Sequence, residues 1–197
     1  MTLPTSLVLA TRNPHKRREF ARLLAPAAVS VQPIPDGIEL PPEDGETFES
    51  NALPKARAAA AATGRAAIAD DSGIEATALD GRPGVRSARY AGLDASDEQN
   101  LDKLMRQAPA GSELRYVCAL AYADPVSGVE HVVFGECRGR LAAQPRGSGG
   151  FGYDPAFLPN DEGGRTMAEL SDEDKDVISH RGAAVQALLA WASGGAP

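Results

Sequence analysis

Apolar positions along this chain change their spacing several times, and each change marks an element. Leu7-Val8-Leu9-Ala10 is a short continuous apolar run, the pattern of a buried strand, and Asn13-Pro14 punctuates it. Phe20, Leu23 and Leu24 then fall on one side of an amphipathic stretch. Asn13 suits the cap of that helix and Pro14 its first turn. Val29-Ser30-Val31 reads as a second short strand, and a loop rich in Pro, Gly and acids runs from Pro33 to Gly45. A helix is expected over Phe48 to Thr63, with Thr47 as N-cap and Gly64 ending it. Arg65 to Ala69 reads as a strand that stops at Asp70-Asp71, followed by a tight turn at Gly73.

The second half starts less regularly, with a Gly- and Arg-rich stretch from Gly73 to Leu93. Asp97 to Gln107 is a helix presenting Leu101, Leu104 and Met105 on one face. Leu114 to Ala123 and Val129 to Gly135 read as paired strands joined through Asp124 to Gly128, with Arg138 to Ala142 as a further strand. After a glycine-rich segment from Pro145 to Asp154, Ser171 and the acids behind it mark a helix start. Ser179 caps a last helix whose Val185, Leu188 and Leu189 repeat at helical spacing. Strands and helices mixed in this way, with no internal repeat and no linker, predict one α/β unit around a mixed sheet, with room for two lobes.

Composition narrows the field. The 197 residues are 43% hydrophobic and 24% charged, an ordinary globular balance. A net charge of −7 disfavours a general nucleic-acid-binding surface, so any phosphate site must be a local concentration of donors for a small anion. No basic leader precedes Leu7, and no stretch reaches the ~20 apolar residues of a membrane span. Cys118 and Cys137 are far apart and lack metal-ligand spacing, which fits free thiols in a reducing compartment; the expected location is the cytoplasm.

Five clusters carry candidate chemistry. Thr11-Arg12-Asn13-Pro14-His15-Lys16 leads from a strand into a helix start, where backbone N–H groups and a lysine make an anion cradle. Asp70-Asp71-Ser72-Gly73 offers carboxylates for a hard cation, and strand alternation sends the two aspartates in different directions. Glu43, Asp44 and Glu46 precede a helix, where acids also serve the helix dipole. Ser148 to Pro155 sets Phe151 among glycines, suited to a flat ligand, with Asp154 as an acceptor for a base N–H. Lys175, His180 and Arg181 are donor-rich and suit a carbonyl oxygen, which would separate a 6-keto from a 6-amino purine.

In order along the chain, Leu9 to Lys16, Thr47-Phe48 through Asn51-Ala52 and Lys55-Ala56, Ala69 to Gly73, Ser87 to Gly92, Gly149 to Pro155 and Ser179 to Gly182 resemble the inosine triphosphate pyrophosphatase family, the bacterial dITP/XTP pyrophosphatases. The resemblance implies a two-lobed α/β fold with a long central mixed sheet flanked by helices, a nucleotide cleft between the lobes, Mg2+ and a homodimer. It also implies hydrolysis of dITP/ITP and XTP/dXTP to monophosphate and pyrophosphate.

Carried over by position, Thr11, Arg12, Asn13, Pro14, His15 and Lys16 hold the triphosphate, with Lys55 adding a contact. Asp71 is the catalytic carboxylate and a metal ligand. Glu43 is a second ligand, with Asp70 as the alternative. Ser72 contacts substrate, Phe151 stacks on the purine, and Gly152, Tyr153 and Asp154 shape its pocket. Lys175, His180 and Arg181 read the base edge.

No role follows for Ser87-Ala88-Arg89-Tyr90. Ser50 stands where relatives carry an acid, and Pro54 falls inside a helix, where it would kink the chain before Lys55. The alternatives are a pyrophosphatase for other modified nucleotides and a nucleotide-binding protein without catalysis.

Overall fold

The computed structural model describes residues 2–160 and 162–194. Among them, strands β1 (Ser6–Leu9), β2 (Ser30–Pro33), β3 (Ala67–Ala76), β4 (Glu113–Ala123), β5 (Glu130–Leu141) and β6 (Phe157–Pro159) form one sheet in the order β2-β1-β3-β4-β5-β6. The helices are α1 (Pro14–Leu24), α2 (Phe48–Thr63), α3 (Asp97–Gln107), α4 (Asp172–Ile178) and α5 (His180–Ala192). β1 runs parallel to β2 and β3, while β6 runs antiparallel to β5, so the sheet is mixed as expected. None of the described helices is long and apolar enough to cross a membrane.

The chain divides into two compact units. The first comprises Met1–Asp71, Cys118–Gly135 and His180–Pro197; the second comprises Ser72–Val117 and Glu136–Ser179. In the first, Leu7, Leu9, Phe20, Ile68, Leu120, Tyr122, Val185 and Leu188 pack into one core. In the second, Ile74, Leu104, Leu114, Tyr116, Leu141, Phe157 and Met167 form another.

Helix ends follow their residues. Asn13 caps α1 by accepting from the His15 and Lys16 amides, and Pro14 sits in the first turn, where its missing N–H costs nothing. Thr47 and Ser50 form a reciprocal capping box on α2, and Gly64 closes that helix at φ 65°. Ser50 thus serves the helix start in place of the absent acid. α2 runs on through Pro54 to Thr63. Its buried face is Phe48, Asn51, Ala52, Lys55, Ala56, Ala59 and Ala60, spaced three and four apart. Two of those seven are polar.

Two boundaries differ from the sequence reading. β3 does not stop at the aspartates but continues through Asp70, Asp71 and Gly73 to Ala76, so there is no glycine turn after the pair. Buried partners of opposite charge make carboxylates tolerable in mid-strand, which overrides their poor strand propensity. Arg138 to Ala142 is not a separate strand either. β5 is continuous from Glu130 to Leu141, with Val133, Gly135, Cys137, Gly139 and Leu141 buried and the residues between them exposed. Gly135 interrupts the apolar pattern because α5 lies against it: a Cβ there would sit 2.1 Å from the His180 carbonyl oxygen.

Candidate functional site

The expected site residues fall into two groups, one within each unit. In the first unit, β3 carries Asp70 and Asp71, and α1, α2 and α5 bring cations to them. Lys16 Nζ lies 2.9 Å from Asp70 Oδ2, and Arg181 Nε lies 3.4 Å from the same oxygen. Arg181 is itself anchored by Glu19 of α1 at 2.9 Å, with both side chains almost wholly buried. Burial opposes charge on Asp70, but Lys16, Arg181 and Lys55 outweigh it and hold the carboxyl below the ordinary range. Burial likewise works against charge on Arg181, while Glu19 and Asp70 keep it fully protonated.

Asp71 behaves in the opposite way. Burial, then the neighbouring Glu43 carboxylate, push it up to about 6, against the hydrogen bond from Asn51 and the charges of Lys55 and Lys16. Asn51 Nδ2 donates to Asp71 Oδ2 at 2.9 Å. Lys55 donates to Glu43 and, at 2.6 Å, to the Asp70 carbonyl, so Pro54 leaves it aimed at β3.

The glycine-poor turn before α1 is more occupied than its sequence implied. Thr11 Oγ1 accepts from the Asn13 amide at 3.2 Å, and Asn13 Oδ1 is committed to capping. Arg12 reaches the carbonyls of Ile38 at 2.9 Å and Pro35 at 3.4 Å, strapping the loop that leads to Glu43. His15 Nδ1 meets Arg18 at 2.9 Å. His180 is buried at the start of α5. The two carboxylates of Asp71 and Glu43 are hard oxygen donors crowded enough to raise a pKa, which is what a divalent cation relieves. Among the described residues no group of three or more His, Cys, Asp or Glu side chains is disposed to bind a metal.

In the second unit, Asp154 organises the Phe151 loop. Its Oδ2 accepts from the Phe151 amide at 2.9 Å and from Lys175 Nζ at 2.7 Å, and its Oδ1 from the Tyr116 hydroxyl at 3.0 Å. Both oxygens therefore already have partners within the protein. Lys175 Nζ also stands 5.3 Å from the centre of the Phe151 ring. Gly150 (φ 68°) allows the close approach, since a Cβ there would lie 2.0 Å from Asp154 Oδ2. The Gly152 amide donates to Asp97 at 2.9 Å.

The Tyr153 hydroxyl donates to the Ser87 carbonyl at 2.8 Å, which anchors that turn. Ser87 Oγ in turn accepts from the Ile74 amide at 2.9 Å, and the Ala88 carbonyl from Asn100 at 3.2 Å. The Ser-Ala-Arg-Tyr segment is thus tied to β3 and α3. Ser72, half-buried, follows Asp71 on β3.

Sequence reasoning missed Glu19, Asn51 and Tyr116. For Asn51 a signal existed: it lies one turn before Lys55 on an otherwise apolar face, and a polar pair there needs partners. Glu19 and Tyr116 gave none, because their partners are distant in sequence.

Known proteins carry the same pattern. The model of the Ham1 family matches residues 7–191. A dITP/XTP pyrophosphatase of Mycolicibacterium paratuberculosis is 47% identical over 198 residues, covering 93% of each chain. One of Symbiobacterium thermophilum is 50% identical over 188 residues, covering 93% of this chain and 92% of its own. The structure of a HAM1 protein from Coxiella burnetii superposes with a TM-score of 0.84 at 35% identity, covering 99% of this chain and all of the other. This chain belongs to the Ham1 family.

Proposed function

We propose that this protein is a nucleoside triphosphate pyrophosphatase that hydrolyses dITP/ITP and XTP/dXTP to the monophosphate and pyrophosphate. Its role is then to remove deaminated purine nucleotides from the precursor pool. The observation that carries the reading is the convergence on β3 of Asp71, Glu43, Lys16 and Lys55: a carboxylate with a raised pKa, a second carboxylate and two lysines. Relatives that share nearly the full length of the chain bear the name of that activity.

Asp71 accepts a hydrogen bond from the attacking water and orients it toward the α-phosphorus. The ionised carboxylate is the acceptor for the proton that this water loses. Lys16 and Lys55 offer charge to the phosphate oxygens as negative charge builds on them. Asp71 and Glu43 would hold Mg2+, which supplies charge neutralisation at the leaving pyrophosphate. Phe151 stacks on the purine, and Lys175, held by Asp154, donates toward the 6-keto oxygen. The protein acts as a cytoplasmic homodimer, which light scattering in solution would test.

The deciding experiment is pyrophosphate release with magnesium from inosine, xanthosine, adenosine and guanosine triphosphates, side by side. Fast release from the first two alone supports the reading. Equal rates on all four discard the base specificity, free phosphate in place of pyrophosphate discards the cleavage site, and no release from folded protein discards catalysis.

A further inference from the structure

Asn51 spends its whole amide on two other segments. Its Nδ2 donates to Asp71 Oδ2 at 2.9 Å and lies 3.4 Å from the Gly45 carbonyl, and its Oδ1 accepts from the Gly45 amide at 2.8 Å. The side chain is 2% exposed. A primary amide supplies the donor and the acceptor that these segments need: a carboxylate would repel Asp71, and an apolar residue would satisfy neither segment.

Gly45 is two residues beyond Glu43. A Cβ there would lie 2.7 Å from Asn51 Oδ1 and 2.3 Å from Ser50 Oγ, so any other residue at 45 would displace the Asn51 amide and the cap from this arrangement. The Thr47–Ser50 capping box fixes the start of α2 beside this seat, which places Asn51 in the first turn and a half of a helix that cannot slide. Asp71 is therefore tied to Asn51 directly, and Glu43 through its loop. The two carboxylates oppose one another, so without the Asn51 seat the Glu43 arm would have only its ion pair with Lys55 and the Arg12 strap to set against that repulsion.

We propose that Asn51 is a positioning residue that holds Asp71 and Glu43 together as a two-carboxylate site for a divalent cation. This rests on the cation reading of that pair given under Proposed function.

The test is Mn2+ binding to the full-length protein without nucleotide, followed by electron paramagnetic resonance at a temperature where circular dichroism shows every variant folded. Asn51→Ala should weaken Mn2+ binding about tenfold, the equivalent of one hydrogen bond to a charged group. It should lower kcat for inosine triphosphate while KM changes far less, because the phosphate and base contacts are elsewhere. Gly45→Ala displaces the Asn51 amide and, with it, the Glu43 arm. It should also weaken Mn2+ binding, and it serves if Asn51→Ala does not fold. Wild-type Mn2+ affinity in both variants overturns the positioning role while the cation reading stands. Absence of Mn2+ binding by the wild-type protein removes the cation reading and the inference together.

Discussion

Asp71→Asn should abolish turnover and yet make the protein more stable. Asp71 is 4% exposed, and burial together with Glu43 raises its carboxyl from 3.8 to about 6. Because the folded-state value lies above that of the unfolded chain, folding penalises the charged form. The penalty is fully present above about pH 6 and fades as the pH falls toward the unfolded value of 3.8. At about 1.4 kcal/mol for each tenfold change in the protonation equilibrium, it amounts to about 3 kcal/mol at pH 8. Asparagine keeps the shape and can still accept from Asn51, so the variant should gain most of that.

For a chain of this size the gain corresponds to a rise in Tm of about 6–12 °C. Differential scanning calorimetry at pH 8 and pH 4, with a chelator present, reads both arms. The gain should be large at pH 8 and close to zero below pH 4. An Asp71→Asn protein no more stable than wild type at pH 8 would refute the argument from burial and like charge, whatever its activity.

Glu19→Ala removes the anchor of a buried guanidinium and should cost about 3–5 kcal/mol in urea denaturation. A loss below about 1 kcal/mol would mean that Asp70 alone suffices for Arg181. Phe151→Ala should weaken inosine triphosphate binding by about 1–3 kcal/mol in titration calorimetry, and an unchanged Kd would remove the stacking role. Gly150→Ala forces a Cβ at φ 68° into Asp154 Oδ2 and should raise KM for inosine triphosphate more than it lowers kcat. Wild-type KM would show that the Phe151 loop does not depend on that carboxylate.

Local signals in the sequence translated well where the physics is local. Asn13, Thr47 and Ser171 cap the helices that their side chains predicted, and α2 and α3 begin and end where caps and apolar spacing placed them. β3 and β5 were misread for a shared reason: what keeps each strand going is remote. Asp70 is tolerable in mid-strand because Lys16 and Arg181 reach it, and Gly135 is a strand residue because α5 approaches it. The same limit applies to the site. The motif residues were visible as a set, but the commitment of Asp154 to Lys175 and Tyr116 depends on partners that no spacing reveals.

The interleaving of the two units sets an order on synthesis. The second unit is complete once Ser179 has been made, whereas the core that joins Leu7, Phe20 and Tyr122 still lacks Val185 and Leu188 of α5. The segment that carries Lys16, Glu43 and both aspartates therefore cannot close its own core until α5 is available to it. During that interval Lys16 and Asp70 have met neither a finished core nor Arg181. Residues made early in this chain thus become a site only after α5, made much later, has joined them.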